Sequence, residues 1–200
     1  MLRIILSFII ATILLNPCLA SLCKDLSEKE LSEKPSLEKG SSIENEVQVE
    51  INKSPDEVNV WFDNLAPEKI IKGTIAVSGI KSSCLVSKKP WGEIGSRRLI
   101  YKESGSTFLE EVLENQPKKY FRYEMWDFSK DLTHSIKYIE AYFEVTEISQ
   151  GKSILKWHVA FKPNGLIYKI PLMLYVKSSF NPFMKKSLEA IKHEVEKSAH

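Results

Sequence analysis

Two hundred residues, 43% of them hydrophobic, are enough for one core and so for one domain with some chain to spare. A formal charge of +2 is too small for a polynucleotide binder, and no lysine or arginine cluster interleaved with aromatics runs along one face. Nucleic acid is therefore not an expected partner.

The chain opens on a targeting pattern. Arg3 precedes the apolar run from Ile4 to Leu15, Asn16-Pro17 breaks it, and Cys18-Leu19-Ala20 leads to a cut before Ser21. The run is short for a membrane span. Residues 1–20 read as a signal peptide cleaved after Ala20, which implies a periplasmic or secreted protein; an uncleaved anchor is the alternative. A lipoprotein is disfavoured, because Pro17 and Leu22 stand before Cys18 and Cys23 where a small residue would be expected. Apart from this leader nothing in the sequence indicates a membrane, although contact with one stays open. Cleavage would leave Cys23 and Cys84: a bridge between them is permitted after export, and a buried free Cys84 is the plainer reading.

Residues 21–46 read as a charged, flexible linker. Their repeated Leu-Ser-Glu-Lys theme has mixed charge and no aromatics, so they bury too little apolar surface to offset the entropy of ordering. The folded domain is expected over 47–197. "VQVEI" alternates as a strand does. Ser54 with Glu57 forms a capping box around Pro55, and Val58, Trp61, Phe62 and Leu65 follow at helical spacing as a core stripe. From Ile80 to Phe161 the period becomes two, interrupted by Lys89-Pro90, Ser104-Gly105, Asn115-Gln116-Pro117 and Gln150-Gly151, which predicts an antiparallel meander of about six strands. A shorter helix around Leu172–Ser178 is followed by a long one. There Asn181 serves as cap and Pro182 as first residue, and Phe183, Met184, Leu188, Ile191 and Val195 form one face. The fold class is α+β: a curved sheet whose apolar face is covered by the terminal helix. The early capped helix and the long last helix argue against a lipocalin-like barrel.

Pairing the strands sorts their faces. A two-residue turn at Ser104-Gly105 sets Arg98 opposite Glu111, and a four-residue loop at Asn115–Lys118 sets Glu111 opposite Arg122. In that register Arg98, Glu111 and Arg122, with Ile100, Leu109 and Glu124, face out. Arg97, Leu99, Tyr101, Phe108, Glu110, Val112, Phe121, Tyr123 and Met125 face in, joined by Ile139, Ala141, Phe143 and Val145, then Leu155, Trp157, Val159 and Phe161. Glu110 stands out on an apolar face, where a carboxylate needs hydrogen bonds, a charge partner or water. Three explanations stand: a ligand cavity that it lines, an ion pair with Arg97, or a slipped register that puts it outside.

The order of elements, with "GEIGSRR", "STFLEEVLENQP" and "FRYEMW", resembles the START-like, helix-grip (SRPBCC) superfamily, within it the polyketide cyclase/dehydrase and lipid-transport group. The resemblance runs from Val47 to Val195. It implies a seven-stranded sheet gripping the last helix around a hydrophobic cavity, with Gly95 and Arg98 matching a glycine-x-x-arginine pattern and Glu110 matching a glutamate that often faces the ligand. The expected partner is a small hydrophobic ligand, lipid, sterol or polyketide-like. Its cavity is expected to be lined by Arg97, Tyr101, Glu110, Tyr123, Phe143, Trp157, Phe180 and Met184. No cofactor and no metal is implied: there is no metal-ligand spacing or phosphate loop, and His134, His158, His193 and His200 form no catalytic set. Asp127, after Trp126, reads as a turn residue rather than one at the cavity mouth. A non-catalytic carrier or sensor is the first reading. A cyclase or dehydratase using Glu110 as acid or base and Tyr123 as polarising group is the second. A third reading has the charged linker or the outer Arg–Glu–Arg face meet a partner or the membrane surface.

Overall fold

The structure is a computed structural model that describes residues 31–38, 40–63, 67–129 and 134–197; for residues 60–63 it describes the backbone alone. The expected signal peptide, Cys23, Leu65 and the side chains of Trp61 and Phe62 lie outside the described residues.

Strand β1 (Ile43–Ile51) leads to helix α1 (Pro55–Asp63) and the short α2 (Pro67–Ile70). Strands β2 (Ile80–Leu85), β3 (Arg97–Lys102), β4 (Thr107–Gln116), β5 (Tyr120–Trp126), β6 (Ile136–Ser149) and β7 (Lys152–Pro163) follow. A 3-10 turn, Leu166–Tyr168, then opens the terminal helical run: α3 (Lys169–Tyr175), a π-helical turn (Val176–Phe180) and α4 (Asn181–Lys197). Among the described residues the strands form one antiparallel sheet in the order β1-β7-β6-β5-β4-β3-β2. The meander lays each strand beside the one before it. Only β1 crosses over, to pair with β7 (Val47 opposite Trp157, Val49 opposite Leu155).

The cap of α1 forms as the sequence predicts. The Ser54 amide donates to Glu57 Oε2 at 2.9 Å and the Glu57 amide donates back to Ser54 Oγ at 3.4 Å. Val58 is fully buried. In α4 the face of Phe183, Met184, Leu188, Ile191 and Val195 is buried against the sheet. Pro182, expected to kink or separate the two helical segments, does not separate them. Asn181 keeps right-handed helical angles, and its amide donates to Val176 O five residues back. The wider π turn absorbs the missing proline amide without interrupting the helix. Asn181 therefore is not a cap; its side chain donates to Asn45 Oδ1 at 2.8 Å and ties the helix to β1.

Three other expectations change. First, β1 begins at Ile43, and residues 31–38 form a strap along the outer face of the sheet instead of a solvated linker. Leu31 packs on Leu99, Leu109, Trp126 and Tyr138 in a second, smaller core. Trp126 Nε1 donates to Ser32 O at 3.3 Å, and the Glu38 amide donates to the Tyr138 hydroxyl at 2.9 Å. Second, Cys84 is buried as expected but is disulfide-bonded, not a free thiol.

Third, the β3–β4 register differs by one residue. Lys102 accepts from the Gly105 amide and donates its own to Ser106 O, so the loop is three residues long, Glu103–Gly105, with Gly105 at φ 78°. A left-handed glycine is what the three-residue hairpin requires at its last position. Arg98 therefore faces Glu110 and Arg97 faces Glu111. Between β4 and β5, Glu111 lies opposite Glu124, two residues from the expected Arg122, with a bulge between Val112 and Glu114. A shift of two keeps every side chain on its face; a shift of one reverses them. The inner faces of β4 to β7 are thus as the sequence implies, and β3 alone is inverted.

Candidate functional site

Between the sheet and the terminal helices lies a cavity of about 560 Å³. Phe108, Glu110, Phe121, Tyr123, Met125, Ile139, Phe143, Val145 and Trp157 line it from the strands, and Tyr175, Phe180, Phe183 and Ile191 from the helical run. Pro67, Ile71 and Val77 close one side, and Trp91 with Arg98 another. Alternation brings these strand residues to one face, and the pairs Phe121–Phe143, Tyr123–Ala141 and Phe143–Trp157 set them side by side across strands.

The wall is aromatic. Trp91, Phe121, Tyr123, Phe143, Trp157, Phe183 and Phe180 follow one another with ring centroids 5.1–6.3 Å apart, the spacing of favourable ring pairs. Two buried polar features stand out among its lining residues. Tyr123 and Trp157 share a hydrogen bond in which the indole Nε1–H donates to the hydroxyl at 3.1 Å. Burial, then the nearby Glu110 carboxylate, push the Tyr123 phenol well above its usual range, so it keeps its proton and can donate it. The second feature is an ion pair: Arg98 Nε donates to Glu110 Oε2 at 2.5 Å, with only 16% and 5% of the two side chains exposed.

The loop before β3 holds this pair in place. The Gly95 amide donates to Val112 O and the Val112 amide to Ser96 O, which staples Gly95-Ser96 to β4. Gly95 is at φ 81°, which a side chain would strain. Asn115 Nδ2 donates to Gly92 O at 2.9 Å, and Trp91 lies over the arginine, its ring centroid 3.7 Å from Arg98 Cζ.

Glu110, Tyr123, Phe143, Trp157 and Phe180 thus meet at the cavity wall. Arg97 and Tyr101 do not. They stand on the outer face, where Arg97 Nε donates to Glu111 at 2.6 Å and Tyr101 packs on the smaller core, because β3 is turned over. Met184 is fully buried in the main core, not at the cavity, and Asn45 Nδ2 reaches its sulfur at 3.0 Å. Sequence reasoning missed Arg98 as the cavity cation, although the glycine-x-x-arginine pattern marked it. It also missed Trp91, which no periodicity could place. Asp127, directly after β5, adopts a left-handed φ of 56° and is not among the residues lining the cavity. Among the described residues no group of three or more His, Cys, Asp or Glu is placed to hold a metal.

A curved antiparallel sheet gripping a long terminal helix around an aromatic cavity defines a helix-grip domain built for a hydrophobic ligand. The chain belongs to the family described as polyketide cyclase / dehydrase and lipid transport, which matches residues 42–196. Solved structures share the fold at low identity. Ara h 8.0201 is 18% identical, with 79% of this chain and all of that one covered and a TM-score of 0.56. The major latex-like protein 151 of Panax ginseng is 16% identical, with 78% and 98% covered and a TM-score of 0.56. The di-domain ARO/CYC BexL of the BE-7585A biosynthetic pathway is 14% identical, with 76% of this chain and 46% of that one covered and a TM-score of 0.58. No curated protein sequence matches the chain.

Proposed function

We propose that this protein is a non-catalytic carrier or sensor of a small, largely apolar molecule that bears one polar group. The observation that carries the reading is an aromatic-rich cavity of ligand size with a buried Arg98–Glu110 pair and a proton-bearing Tyr123 among its polar points. An apolar body would be held by burial alone, and the polar groups would fix its orientation. The ion pair favours binding over the cyclase or dehydratase reading, since Glu110 Oε2 is already engaged by Arg98 Nε instead of standing free toward the cavity.

Mass spectrometry of the purified protein should find a copurified apolar molecule or one that exchanges into it. A fluorescent apolar probe should be displaced by that molecule. Tyr123→Phe should weaken a hydroxyl- or carbonyl-bearing ligand by about fivefold to tenfold and leave a pure hydrocarbon probe unaffected. Absence of any copurified or exchangeable ligand rejects the reading. A conversion of bound ligand that Glu110→Gln abolishes would replace it with the enzymatic one.

We place this carrier in an exported compartment. The leader pattern supports that reading, as does the disulfide at Cys84, since such bonds persist in oxidising surroundings. Fractionation, with the mass of the exported form, tests it: a cytosolic full-length chain would exclude export.

A further inference from the structure

The helical run after β7 presents its apolar side chains to solvent. Leu166 is 85% exposed, Ile167 78%, Ile170 66% and Leu174 58%, while Leu172 and Val176 anchor the same run in the core. The spacing 166, 167, 170, 174 makes one continuous stripe on a helix, extended by Met173. A solvent-facing helix normally shows a polar stripe there, and a contiguous apolar face of this kind marks a contact surface.

Charge identifies what it meets. From Leu166 to Leu188 the helical run has no acidic residue, and it carries Lys169, Lys177, Lys185 and Lys186. Lys169 and Lys177 are exposed within the apolar run itself. For a chain with a formal charge of only +2, a helical run with four lysines and no carboxylate is one-signed. Apolar side chains flanked by lysines fit the interface of an anionic bilayer, where the former enter the headgroup–acyl boundary and the latter meet phosphates and carboxylates.

We propose that this face docks on the surface of an anionic lipid bilayer, with Leu166, Ile167, Ile170 and Leu174 inserted and Lys169 and Lys177 at the headgroups. The docked helix does not cross the bilayer: no described helix is long and apolar enough to do so. Tyr175 and Phe180, from the same run, line the cavity, so docking brings one cavity wall to the lipid. The docking does not depend on what the cavity holds.

The test keeps the full chain, with its apolar leader present in every arm, and reads a signal local to the patch. Ile170→Trp is mixed with phosphatidylcholine vesicles containing roughly a third phosphatidylserine and brominated acyl chains. Its emission, taken as the difference from the parent chain, should shift to the blue and fall by about half. Vesicles lacking phosphatidylserine should quench it much less, as should added Ile167→Glu and Leu174→Glu substitutions. These exposed changes should leave the melting temperature and apolar-probe binding as they were. Absence of quenching, or equal quenching by neutral vesicles, overturns the proposal. So does light scattering that shows the patch buried between two copies of the chain before lipid is added.

Discussion

Arg98→Met is expected to destabilise the fold by about 3 kcal/mol, toward the low end of the loss for breaking a buried ion pair, because 16% of the Arg98 side chain is exposed. The variant leaves Glu110, 95% covered by protein, without its cation and on an apolar face. The loss therefore measures the cost of a stranded charge more than the worth of the pair. Adding Glu110→Gln should recover most of it, since a neutral amide in the same place needs no counter-charge. Arg97→Met, on the outer face, should cost within about 1 kcal/mol, because its side chain is a third exposed and Glu111 keeps Lys34 as a second partner. Urea unfolding of the four proteins checks this. Equal losses for the two arginines, or no recovery in the double variant, would contradict the assignment of Arg98 to the cavity.

Glu124→Gln is expected to stabilise the protein above neutral pH and to flatten its pH dependence. Glu124 is fully covered beneath the strap, and neither of its side-chain oxygens has a hydrogen-bond partner. Burial drives its carboxyl up to about 7; Glu111 and Glu140 add to the rise, while Lys34, 3.9 Å away, and Arg122 oppose it. A carboxyl raised on folding contributes stability that is complete below its unfolded value and is lost as pH rises through about 7. The native chain should thus lose about 1–3 kcal/mol between mildly acidic and mildly alkaline pH, and the glutamine variant should not. Glu111 works in the opposite direction. Burial raises it, but hydrogen bonds from Lys34 and Arg97 outweigh burial and hold it below the usual carboxylate range. Its contribution fails only in acid, so the two windows separate. Unfolding midpoints across this range decide the matter: an unchanged slope in Glu124→Gln would remove this carboxyl as the cause.

Both predictions turn on features whose legibility in the sequence differed. Glu110 was visible on an apolar face because alternation along β4 is a local property that no partner strand can change. Its cation was not, because the choice between Arg97 and Arg98 depends on whether the hairpin loop holds two residues or three. Gly105 is compatible with either until its φ is known. Glu124 was read correctly as outward-facing. That it is buried depends on a strap whose composition reads as solvated and which orders only because the outer face offers Leu99, Leu109, Trp126 and Tyr138 to Leu31.

By itself the sequence determined the order of elements, the capping box at Ser54, the buried face of the terminal helix and the cavity face of β4 to β7. These rest on periods of 3.6 and two, which each segment carries internally. The tertiary structure alone decided the face of β3, the continuity of the helix through Pro182, the disulfide state of Cys84, the cover over Glu124, and which side of the helical run at Leu166–Leu174 faces water. The disulfide, the cover over Glu124 and the exposed side of the helical run are relations between segments distant in the chain, whereas the face of β3 rests on the length of one hairpin loop and the continuity at Pro182 on one π turn. One residue of register, or one neighbour present or absent, reverses the environment of a side chain while leaving its local pattern unchanged.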